Sequence, residues 1–170
     1  MTRRNLLHRL WNHLCTDRAA VRRTFPKQSL QRIETLIAAG ECEHRGQLRF
    51  AVEAALPLTR LFHGANPRER ALEVFGSLGI WDTAENCGDL VYLLLADRDV
   101  EIVADRGIHA QVGTAAWEAI CHKMEKAFRA GRFGEGVEEG LAEINALLVR
   151  HYPREGRPAG NELSDRPVLL

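Results

Sequence analysis

The chain has 170 residues, 45% apolar and 27% charged, and its 23 Lys and Arg are matched by 23 Asp and Glu. That length predicts one domain with a real core, and no run of about 18 apolar residues exists to form a membrane-spanning helix. The zero net charge excludes a strongly basic or acidic protein only on average, because residues 1–32 hold eight basic side chains and one acid, a segment of +7, while the remainder carries −7.

Leu6, Leu7, Leu10, Trp11 and Leu14 recur at helical spacing, with Arg3, Arg4, Arg9, His13 and Arg18 largely off the stripe. Residues 1–24 are therefore expected to form a basic amphipathic helix. It either meets a membrane surface or partner through residues 1–22, or folds back on its own domain. Phe25-Pro26 opens a second helix with Leu30, Ile33, Leu36 and Ile37 inward. Residues 47–55 alternate Leu48, Phe50 and Val52 with Arg49, Ala51 and Glu53, which predicts a half-buried strand. Asn66-Pro67-Arg68-Glu69 is a helix start, with Asn at the N-cap, Pro at N1 and Glu at N3.

A polar loop, residues 81–88, leads to an apolar strand over 90–96. Asp97-Arg98-Asp99 turns it into an antiparallel return over 100–104, closed by Asp105-Arg106-Gly107. Two helical stripes follow: Trp117, Ile120, Cys121, Met124 and Phe128, then Val137, Leu141, Ile144 and Leu148. Residues 153–170 lack periodicity and are expected to be a flexible tail. The pattern predicts an α/β fold: a mixed sheet with an antiparallel hairpin, sandwiched between helices, plus the extra N-terminal helix.

The four cysteines have neither C-x-x-C nor zinc-finger spacing and are expected as free thiols. The N-terminus lacks the apolar core of a signal peptide. A cytoplasmic location is expected, with a peripheral place at the inner membrane if the first helix docks there.

No phosphate-binding glycine loop, zinc-protease motif or nucleophile elbow is present. An acidic constellation is. Asp82, Glu85 and Asn86 precede the first hairpin strand, and Asp105 follows the second, so the hairpin brings them to one sheet edge. Asp97 and Asp99 form a second, weaker set at the far end. Clustered oxygens suit Ca2+ or Mg2+, and paired carboxylates serve acid/base work on a phosphoester. Asp82, Asp105 and Arg106, which would steady an anion, are the catalytic candidates. The alternative is that Asp and Asn populate turns for local backbone bonding. No cofactor is demanded. The histidines are scattered, His8 and His13 being five residues apart. A net-acidic body with 6% aromatics argues against a nucleic-acid partner.

Residues 71–108 resemble the centre of the TPM domain family: a helix ending at Gly79, a loop closing in Asn86 and Gly88, the aliphatic run 93–95, then Asp97, Asp99, Gly107 and Ile108. Residues 128–136, F-R-A-G-R-F-G-E-G, resemble the family's closing helix–turn. The likeness covers about residues 25–152. It implies a mixed sheet between helices and, for some members, acid-phosphatase activity with divalent-metal binding. Bacterial members stand beside envelope proteins. Here Cys87 replaces the second Asn of the loop, and Arg23-Thr24-Phe25-Pro26 replaces an acidic segment. The signal peptide and C-terminal membrane segment of most bacterial relatives are not seen. Two functions stay open: an accessory module for a protein partner at the cytoplasmic face of the envelope, or a metal-dependent, acid-phosphatase-like hydrolase.

Overall fold

The computed structural model describes residues 3–156 and 161–170. Within them the order is α1 (Arg3–Cys15), α2 (Arg18–Thr24), α3 (Lys27–Glu43), β1 (Gln47–Glu53), α4 (Leu58–Phe62), α5 (Pro67–Ser77), β2 (Gly88–Leu94), β3 (Asp99–Ala104), α6 (Arg106–Val112), α7 (Thr114–Arg129), α8 (Phe133–His151) and β4 (Val168–Leu169). No helix among the described residues is long and apolar enough to cross a membrane.

The sheet runs β3-β2-β1-β4. β1 and β2 are parallel, joined by a crossover through α4 and α5. β2 and β3 form the antiparallel hairpin, with Leu90 opposite Val103 and Tyr92 opposite Glu101. Alternate side chains feed two cores. Phe50, Val52, Val91 and Leu93 meet the inner faces of α3, α7 and α8, which supply Ile33, Ile37, Met124, Phe128, Leu141 and Ile144. Leu90, Tyr92, Leu94 and Val103 meet Ala71 and Val74 of α5 and Leu61 of α4. The result is a helix–sheet–helix sandwich, the layering the pattern predicts. α5 starts as read, with the Asn66 side chain accepting from the Arg68 N–H at 3.0 Å.

Five features differ from expectation. β1 is covered on both faces. Glu53, which looked like a solvent-facing position, is buried because Arg70 donates to both its oxygens, at 2.8 and 3.2 Å, and the Tyr92 hydroxyl donates at 2.6 Å. Residues 3–24 form two helices, broken where Asp17 caps α2 by accepting from the Ala20 N–H. Asp105 does not merely close the hairpin. It is the N-cap of α6. Part of the expected tail, residues 157–160, lies outside the described residues. The segment beyond it returns to the sheet, where Val168 and Leu169 pair in parallel with Ala51 and Val52.

Candidate functional site

Two places gather the chemistry, one at each end of the hairpin. The first is the α1 dock. The apolar stripe read from periodicity does not face the core. Leu10 is partly buried against the α5 side of the sheet, but Leu7, Trp11 and Leu14 are 68, 65 and 61% exposed. The inward edge is polar. Arg9 donates Nε and Nη2 to Asp97 at 2.8–3.1 Å and reaches the Ala65 carbonyl. His13 is buried. Its Nδ1 accepts the Leu56 N–H at 3.0 Å, so the proton sits on Nε2, which bonds Asp97 Oδ1 at 3.0 Å. Burial alone would raise the Asp97 carboxyl, but the His13 and Arg9 bonds outweigh it and hold it below the usual range.

Asp97, expected in the weaker metal set, is thus the anchor of α1. Its companion Asp99 is raised to about 7, chiefly by burial and then by Glu101 and Glu125.

The second place is the acidic end. The hairpin does bring the loop before β2 and the exit of β3 to one edge. The Asp105 N–H donates to the Gly88 carbonyl, and the Gly107 N–H to the Asn86 carbonyl. Gly107 permits this approach, since a Cβ there would stand 2.5 Å from the Asn86 carbonyl oxygen and 2.8 Å from the Tyr152 hydroxyl. Asn86 itself takes a left-handed φ of 52°. The side chains of the expected set diverge in environment. Asp82 and Asn86 are exposed. Glu85 is ion-paired to Arg45, which also lies over the Tyr152 ring. Arg106 is exposed at the start of α6. Asp105 is buried, with Oδ1 accepting its neighbour's N–H and Oδ2 unpartnered among the described residues.

The residue that sequence reasoning missed is Asp89. It is fully buried, and neither carboxylate oxygen has a hydrogen-bond partner among the described residues. Burial, and then the nearby Asp105, hold its carboxyl far above the ordinary range. The available signal was an Asp heading a wholly apolar strand, in phase with the inward Val91 and Leu93. Two buried carboxyls, Asp89 and Asp105, therefore lie close together at this sheet edge. Among the described residues, no three His, Cys, Asp or Glu side chains converge as a metal cage.

A family model for the TPM domain matches residues 20–147. The chain belongs to the TPM domain family. The BA42 protein of the psychrophilic bacterium Bizionia argentinensis has a solved structure similar to this TPM chain, with a TM-score of 0.74 and 22% identity over 84% of this chain and 93% of that one. The N-terminal domain of a P. gingivalis protein is similar with a TM-score of 0.60 and 18% identity, over 74% and 79%. At these identities the likeness is one of fold. No curated protein matches by sequence. The TPM match includes most of α2 and both hairpin strands but not α1 or β4. The docked helix lies outside the matched residues, held by an Asp97 that lies within them.

Proposed function

We propose that this TPM chain is an accessory binding module that docks through the outward face of α1 at the cytoplasmic face of a cell envelope and serves a protein partner there. The observation behind this reading is the reversed helix: three large apolar side chains face out while an arginine and a histidine face in. Exposed Arg18, Arg22 and Arg23 on α2 follow directly. An anionic lipid surface accommodates both features, taking Trp and Leu at the headgroup boundary and attracting the guanidinium groups. Sedimentation with vesicles of about 30% anionic lipid tests the membrane part. The full chain is expected in the pellet, and the L7S/W11S/L14S variant in the supernatant. That variant leaves Arg9 and His13 in place, so its fold can be verified by circular dichroism. Equal, negligible sedimentation of both proteins would remove the reading.

The unpartnered Asp89 favours a second reading, a divalent-cation site serving phosphoester hydrolysis. Asp89 and Asp105 are the side chains that would hold a hard cation such as Ca2+ or Mg2+. When bound, the cation would polarise a phosphoryl oxygen. The chain's part is to offer these two neighbouring buried carboxyls, with the exposed Arg106 next to Asp105 available to an anion. A calcium titration followed by thermal shift tests it, since a ligand at 100 Kd stabilises by about 2.7 kcal/mol.

A further inference from the structure

We infer that the cleft along the outer edge of β3 is a recognition groove for an extended, basic peptide segment, which adds to the sheet as a further strand. β3 is an edge strand. The Asp105-to-Gly88 bond and the hairpin register place Glu101 and Val103 in the hydrogen-bonded pairs with β2. The N–H and C=O groups of Val100, Ile102 and Ala104 therefore point away from the sheet. The Ile102 carbonyl is covered, since Arg68 Nη1 donates to it at 2.5 Å. The outward groups of Val100 and Ala104 have no such cover among the described residues.

A cleft of about 380 Å³ runs along this edge between α5 and α7. Its charge is unbalanced. Glu101, Glu118 and Glu125 line it; Arg68 is ion-paired to Glu101 at 3.3 Å, and the exposed Arg129 to Glu125 at 2.7 Å. Trp117 also lines it, is 4% exposed, and has an indole N–H without an acceptor among the described residues. An extended peptide answers each of these groups at once. Its backbone meets the open positions of β3, a carbonyl suits the indole N–H, and basic side chains on one face reach Glu118 and displace the solvent-exposed Arg129 from Glu125. Arg68 is 41% exposed at its side chain and already bridges to Glu101, so it can yield the Ile102 carbonyl without losing its ion pair. The groove does not involve α1 and stands independently of the docking proposed above.

The test uses the full chain and a fluorescent hexapeptide of alternating Lys and Val, with a Glu–Val counterpart as control. The Lys–Val peptide is expected to bind by anisotropy, to slow hydrogen exchange at the Val100 and Ala104 amides, and to bind about tenfold more weakly to the E118Q/E125Q variant. Absence of binding at about 1 mM peptide, equal binding of the acidic peptide, an unchanged affinity in the variant, or protection confined to other amides would each overturn the proposal.

Discussion

Asp97→Ala is expected to destabilise the protein by about 3 kcal/mol and to release α1 from the sheet. Removing one member of a buried ion pair costs about 3–5 kcal/mol, because the partner is left charged and desolvated. Asp97 and Arg9 keep 14 and 17% side-chain exposure, which places the cost at the low end of that range, but His13 has no exposed side-chain surface and also loses its acceptor. Urea unfolding reads the energy, and tryptic cleavage after Arg9 reads the release. A loss under about 1 kcal/mol with Arg9 still protected would show that α1 is held by Leu10 instead. The pH dependence follows from the depressed Asp97 carboxyl. Its contribution is fully present above the unfolded value of about 3.9 and is lost as pH falls through the lower folded value. The dock therefore opens only in strong acid.

Asp89→Asn should act in the opposite sense and stabilise the cation-free protein at neutral pH. The folded Asp89 carboxyl is raised by burial and by Asp105. It keeps its proton where the unfolded chain, with a carboxyl near about 3.9, has released it. Stability then falls as pH rises, by up to about 1.4 kcal/mol per pH unit, until the folded value is passed. The amide carries no titrating proton, so the slope of stability between pH 4 and pH 7 should flatten by that amount. A residual slope of the same sign stays, since Asp99 and Glu41 are each raised to about 7. The same variant decides the cation reading. Calcium should raise the melting temperature of the parent but not of the Asn form. An unchanged slope would mean that Asp89 ionises freely. A calcium shift equal in both proteins would place the cation elsewhere.

Local signals were legible where local chemistry decides. Asn66 and Pro67 start α5, and the Val137–Leu148 stripe packs as its spacing says, because a cap and a helical period are short-range properties. The hairpin's convergence of Asp105 on the 85–88 loop followed from strand reversal alone. What escaped depends on partners far along the chain. Glu53 looked polar until Arg70 and Tyr92 enclosed it. His13 looked incidental until Asp97, 84 residues away, turned the helix around. The Leu7–Trp11–Leu14 period identified a helix correctly, yet period cannot say which face is inward when a buried ion pair competes with leucine. Asp89 escaped because an acid at the head of an apolar strand looks like the end of the preceding loop.

The Gln47 side chain leaves a further consequence. Its carbonyl oxygen accepts the amides of Glu162 and Leu163, at 2.7 and 2.9 Å, just before that segment delivers Val168 and Leu169 to the open side of β1. More than a hundred residues separate these partners. Closing so long a loop yields little until the α3–β1–β2 core exists, so this strand is the natural last step of folding and the first to open again. Amide exchange should divide the sheet unevenly: β2, enclosed between two partners, opens with the whole molecule, whereas the bond from Leu170 to the Val52 carbonyl opens on its own. The stability of this four-stranded sheet is graded across its width, and its softest margin lies along β1.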